Sequence, residues 1–250
     1  MRRLVIFSLV TSGLSFYFAS IEIGIYLSAQ TANPSLFRNV IVYLDRRGEM
    51  VWNLLLEHLW LVFVSVGTAI VVSVIVGILI SYYLNTATVV LTVCQILMTI
   101  PSIAMLGMLV PFFGIGFNTG VIALILYSLL PIVRNTYTGI SEVDPVIIES
   151  AVGMGMTEWR ILTKIKIPLA MPVIIAGIRT ATVMIVGVAA VAAYVGAGGL
   201  GELIFQGISR SNAPMIIVGA VGVSIIALAF DFIMSWGERI FAAKTGAEEG

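Results

Sequence analysis

The amino-acid sequence predicts an all-α polytopic membrane protein of about six transmembrane helices, and three observations carry that expectation. Of its 250 residues, 60% are hydrophobic and 10% charged, with a mean hydropathy of +1.10, against about 25% charged in soluble domains. Leu59 to Val133 passes without one Asp, Glu, Lys or Arg, room for three spans of about 20 apolar residues each. Further apolar stretches flank it on both sides. A soluble globular domain is excluded. With 13 basic and 13 acidic residues, no net charge draws the chain to nucleic acid. The lone Cys94 excludes an intrachain disulfide and any multi-cysteine metal site.

Taken in order, Arg2 and Arg3 precede an apolar stretch from Leu4 to Leu27. It is longer than a signal-peptide core of roughly 7–15 residues and has no A-x-A-like cleavage site. It is read as a retained span, with cleavage the alternative. Residues 28–57 carry Asn33-Pro34, the cluster Asp45 to Glu49, and Met50 to Leu56 with Trp52, a stretch expected to lie on the membrane surface. Spans are expected at Leu59–Leu84, Val89–Phe113, Thr119–Val133, Pro168–Val195 and Pro214–Trp236. Pro101, Pro111 and Pro131 are expected to kink them. With both termini cytoplasmic, Arg2, Arg3, Arg134, Arg160, Lys164, Lys166, Arg239 and Lys244 lie inside, against Arg38, Arg46, Arg47 and Arg210 outside, as the positive-inside rule asks.

The loop 134–168 is the long polar stretch between the two halves of the membrane region. Asp144-Pro145 gives an N-cap carboxylate and a first-turn proline, Gly153 and Gly155 stop the first short helix, and Thr157 and Glu158 start a second. Pro168 is expected to end that second helix. Glu149-Ser150-Ala151-Val152-Gly153-Met154-Gly155, followed after nine residues by Ile165-Lys166-Ile167-Pro168, resembles the EAA motif of ABC importer permeases, with Ser150 for alanine and Ile167 for leucine as departures. The resemblance implies a cytoplasmic element in which Glu149, Ser150, Ala151, Gly155, Thr157, Ile165 and Pro168 couple the chain to an ATP-hydrolysing subunit.

Thr99 to Ser102, Leu129 to Ile140, Ala176 to Thr180 and Gly196 to Gly201 resemble, more narrowly, permeases of osmoprotectant uptake systems for glycine betaine, carnitine or choline. That family implies a five-span core over 58–250, so that 1–57 adds an N-terminal helix and an extracytoplasmic segment. It also implies a cytoplasmic-membrane location in a bacterium or archaeon and a pathway formed by alternating access. The chain has no phosphate-binding loop, so ATP and Mg belong to a separate ATPase, and no cofactor is expected on this chain. The further partners implied are a second permease, identical or different, an extracytoplasmic binding protein that selects the substrate, and membrane lipid. Another small solute such as an amino acid is the alternative cargo. An ion-coupled secondary transporter or a membrane enzyme is disfavoured, because the uncharged run offers no ion-coupling carboxylates or catalytic constellation.

Several residues have two readings. Gly196, Gly198 and Gly201 fit G-x-G-x-x-G but lack a preceding strand and a suitably placed acid, so a dinucleotide site is rejected. With Gly199 and Tyr194 they are taken as a gate or close-packing bend, or as a plain re-entrant turn. Arg179, deep in a span, serves either the pathway or a structural bond, with Asp231 one partner to test. His58 beside Glu57 is expected at a membrane interface. Tyr127, Tyr137, Tyr194 and Phe205 offer aromatic faces to a quaternary ammonium.

Overall fold

The computed structural model describes residues 34–82 and 84–245, so the expected span Leu4–Leu27 lies outside the described residues. Among those described there is no strand, and the helices are α1 Pro34–Tyr82, α2 Leu84–Thr99, α3 Ser102–Phe113, α4 Phe117–Ser141, α5 Pro145–Gly153, α6 Glu158–Ile161, α7 Ile167–Ala192, α8 Gly201–Ser209 and α9 Ala213–Thr245.

Helix α1 corrects the expectation of a surface-lying segment before the second span. Its 49 residues form one helix, about 74 Å long at 1.5 Å per residue and more than twice a bilayer's hydrocarbon thickness. The charged cluster Asp45 to Glu49 does not interrupt it, because Arg and Glu are good helix formers and one glycine costs only about 1 kcal/mol. Residues 59–82 account for the membrane crossing, and 34–58 continue beyond it as a rod. The segment expected as a single span at Val89–Phe113 is two helices bent by 101°. Pro101 sits at the break with φ −56° and ψ 138°, and a proline also drives the preceding residue out of helical geometry. The phenol of the buried Tyr127 donates to the Ile100 carbonyl at this break.

The direction of packing determines what the bent pair does. Leu61 lies against Gly120 and Gly77 against Thr136, so α1 and α4 run parallel. Gly139 meets Ala170 and Gly120 meets Ala192, so α4 and α7 run antiparallel. Two parallel helices need an intervening return. The pair α2–α3 therefore carries the chain back across the bundle as one broken span, and the described residues cross five times, as the expected core requires. Close approach of α4 and α7 depends on Gly177, where a Cβ would lie 2.5 Å from Asn135 Cβ and 2.9 Å from the Pro131 carbonyl oxygen. Small residues permit this spacing where apolar lipid supplies no hydrophobic drive for helix association. The largest core cluster, with Leu61, Leu106, Leu124, Ile185, Leu200 and Leu203 fully buried or nearly so, occupies the half of the bundle away from the 142–157 loop. Exposed Phe63, Val71, Phe112, Leu228 and Phe232 form an apolar outer surface suited to lipid or to another membrane subunit.

Candidate functional site

The loop expected to couple the chain, residues 142–157, lies between the end of α4 and the start of α6. Asp144 Oδ1 accepts the Val146 N–H at 2.8 Å, and Pro145 occupies the first turn of α5, as the dipeptide predicts. Helix α5 stops at Gly153. Gly155 then takes φ +75°, a left-handed conformation that costs a residue with a Cβ about 1–2 kcal/mol. Its N–H donates to the Val152 carbonyl at 2.9 Å and that of Met156 to Ala151 at 3.1 Å. Ala151 is fully buried, whereas Glu149, Ser150 and Thr157 are exposed. Ser150 Oγ donates to the Val146 carbonyl at 2.7 Å. Thr157 holds the N-cap position of α6, but its side chain makes no capping bond.

Pro168 does not end the second helix. A π-helical turn, Leu162–Lys166, joins α6 to α7 without a break. The wider turn accommodates a ring that lacks an N–H and would crowd the preceding carbonyls of a regular helix. Half-buried Ile165 lies within this turn and Pro168 on its exposed side. Lys166 Nζ stands 5.5 Å from the centre of the Tyr82 ring, tying the turn to the end of α1. Sequence reasoning missed Val146, Val152, Met154 and Trp159. Their side chains are 58–74% exposed on this otherwise polar loop, an apolar patch of the kind that marks a protein contact.

Arg179 finds partners on α9. Its Nε and one terminal nitrogen donate to the two oxygens of Asp231 at 2.7 and 3.1 Å, and the other terminal nitrogen donates to Glu238 at 3.1 Å. This bidentate geometry is the strong form of the contact. It ties α7 to α9 and supplies the structural bond that was one of the two readings.

The glycine segment lies at the end of the bundle opposite the 142–157 loop. Gly196, Gly198 and Gly199 have φ of +74°, +82° and +89°, so the chain reverses sharply between α7 and α8. A Cβ on Gly201 would lie 1.9 Å from the Ala190 carbonyl oxygen, which makes this a backbone-to-backbone contact. Tyr194 is exposed, its ring 5.7 Å from that of Phe205. Glu57 of α1 accepts the Gly199 N–H at 3.2 Å. His58, expected at a membrane interface, stands where α1 leaves the crossing and is fully enclosed by protein, with Nε2–H donating to the Val186 carbonyl at 3.1 Å and Nδ1 without a partner among the described residues. Tyr127 is buried, with its hydroxyl on the Ile100 carbonyl, so its ring is closed to a solute. Sequence reasoning also missed Trp60, Phe117 and Glu202, which join Glu57 and the glycines around a cavity of about 340 Å³. No local motif signals their meeting, since they come from three separate helices.

Residues 69–246 match the family described as the binding-protein-dependent transport system inner membrane component. The chain is 46% identical over 196 residues to the osmoprotectant import permease OsmW of Salmonella typhimurium, covering 76% of this chain and 91% of that protein. It is 38% identical over 219 residues to the choline transport system permease OpuBD of Bacillus subtilis, covering 86% and 97%. With the carnitine transport permease OpuCD of Listeria monocytogenes the identity is 41% over 203 residues, covering 81% and 91%. The fold is similar to a chain of the MetNI methionine ABC transporter in an inward-facing conformation, at a TM-score of 0.73 and 24% identity over 79% of this chain and 98% of that one.

Proposed function

This chain belongs to the binding-protein-dependent transport system inner membrane components, and from that premise we propose that it is the permease of an ATP-driven importer for quaternary-ammonium osmoprotectants of the glycine betaine, carnitine and choline class. The observation that carries the substrate class is identity of 38–46% to three permeases of such solutes over most of their length, against 24% to the methionine importer of the same fold.

In this reading the loop from Asp144 to Thr157 docks on a cytoplasmic ATPase that binds ATP and Mg. Exposed Val146, Val152, Met154 and Trp159 supply apolar contact area, while Gly155 and Asp144 fix the loop's shape. The π turn supports direct transmission, since it keeps α6 and α7 in one continuous helix that runs from the docking loop into the span. Arg134, Arg160, Lys164 and Lys166 lie at this end, and Arg38, Arg46, Arg47 and Arg210 toward the other, a distribution that supports a cytoplasmic coupling loop. The opposite end then faces an extracytoplasmic binding protein. A second permease, a copy of this chain or a different one, completes the pathway, which works by alternating access.

Uptake of labelled glycine betaine, carnitine, choline and methionine tests the assignment in cells that differ only in this chain and express its ATPase and binding protein. Chain-dependent, ATP-dependent uptake of at least one quaternary ammonium compound, with none of methionine, is expected. Chain-dependent uptake of methionine alone would overturn the substrate class.

A further inference from the structure

The cavity at the end opposite the coupling loop has a composition that neither the coupling role nor the fold requires. Glu57 and, one turn on, Trp60 come from α1, Phe117 opens α4, Glu202 stands in the first turn of α8, and Gly198 forms the wall between them. The volume of about 340 Å³ lies within the range of small-molecule sites. One Glu57 oxygen holds the Gly199 N–H. Neither carboxylate forms an ion pair with a basic side chain among the described residues. Burial, and secondarily the charge of Glu57, pushes the Glu202 carboxyl above its ordinary range, so the pair repel one another and a cation between them would relieve both. Behind the cavity, against Gly199, His58 Nδ1 is buried and without a partner among the described residues. Because Nε2 carries the proton given to Val186, Nδ1 presents a lone pair and adds no positive charge. A helix N-terminus accounts for Glu202 alone. It does not account for Glu57 or for the two rings.

We propose that this cavity is a binding site for a small quaternary ammonium cation, with Glu57 and Glu202 as counter-charges and Trp60 and Phe117 as the apolar, cation-attracting walls. The proposal rests on the osmoprotectant reading and deepens it. An alkylated ammonium cannot donate a hydrogen bond, so its recognition falls to ring faces and to carboxylates at contact distance. The same carboxylates repel the carboxylate of a zwitterion. The site therefore favours choline over glycine betaine.

The test uses the whole importer in proteoliposomes, with its ATPase and binding protein, and labelled choline and glycine betaine at matched concentrations. Glu57→Gln keeps an oxygen for the Gly199 N–H, and Glu202→Gln is nearly isosteric. The double variant is expected to raise the half-saturating choline concentration by roughly fivefold, the scale of a solvent-accessible charge pair, while betaine is unchanged or improves. Glu202→Asp keeps the charge and is expected to preserve choline transport, and Trp60→Ala to weaken it. Equal loss of both solutes, or no change in either, in a double variant that still hydrolyses ATP would overturn the cation site. Failure of the unaltered importer to carry either solute would instead overturn the osmoprotectant reading on which the site depends.

Discussion

Two glycines of the same helix give a prediction whose sign depends on helix packing. Replacing a helical glycine by alanine stabilises by about 0.5–1 kcal/mol where space is open. A Cβ at Gly187 has no neighbour within 4 Å, whereas one at Gly177 would stand 2.5 Å from Asn135 Cβ and 2.9 Å from the Pro131 carbonyl oxygen. Ordinary contact begins at 3.4 Å, so α4 and α7 must separate locally by about 0.9 Å, or Asn135 must leave its bond to Pro131, held at 2.7 Å. Overpacking of this kind costs about 1–3 kcal/mol, with backbone obstruction toward the upper end. The expected difference between Gly177→Ala and Gly187→Ala is therefore about 2–3 kcal/mol, with opposite signs relative to the parent. Thermal unfolding of the detergent-solubilised permease–ATPase complex measures it, with transport in vesicles as a second readout. A Gly177→Ala protein as stable as Gly187→Ala would refute the close α4–α7 contact.

Four further outcomes are expected. Gly155→Val places a β-branched residue at φ +75°, distorting the docking loop; ATP hydrolysis should disconnect from transport while the protein remains in the membrane, and normal transport would contradict the coupling role. Tyr127→Phe strips the Ile100 carbonyl of its donor, and should lower stability by about 1–3 kcal/mol in the same unfolding assay. Arg179→Gln removes the bidentate bond to Asp231 and strands Glu238, so assembled protein should become less stable in detergent without changing its preference between betaine and choline; a shift in preference would return Arg179 to the pathway. A cysteine replacing Ser141 should react only with reagents that enter the cytoplasm and one replacing Ser211 from outside, and the reverse pattern would invert the proposed orientation.

What the sequence disclosed depended on how local each signal was. Asp144-Pro145 and Gly155 were legible because capping and left-handed geometry are decided within a few residues. Three of the five core crossings followed from the uncharged run and two from the apolar stretches after it, and neither signal needs tertiary knowledge. Pro168 misled, because a proline beside a π turn looks the same in sequence as one that ends a helix. The polar cluster at Asp45 was read as a departure from the span, although charged residues of high helix propensity simply extend a helix into water. His58 was out of reach for another reason, since its burial depends on a carbonyl 128 residues away. The same holds for Glu57, Trp60, Phe117 and Glu202, which meet only because α1 runs parallel to α4 and the glycine segment folds over its end.

The unbroken run from Glu158 to Val195 is 38 residues long, about 57 Å at the helical rise. Gly177 stands near its middle, about 29 Å from the coupling end and 27 Å from the other. A stiff beam held at its midpoint is a seesaw with arms of nearly equal length. Under the proposed coupling role, a sideways pull of a few ångström at the docking end that pivots on this contact carries the glycine segment a similar distance the opposite way. The fulcrum is the tightest contact along the beam's middle, and a bulkier side chain at Gly177 would raise the pivot as well as weaken the joint.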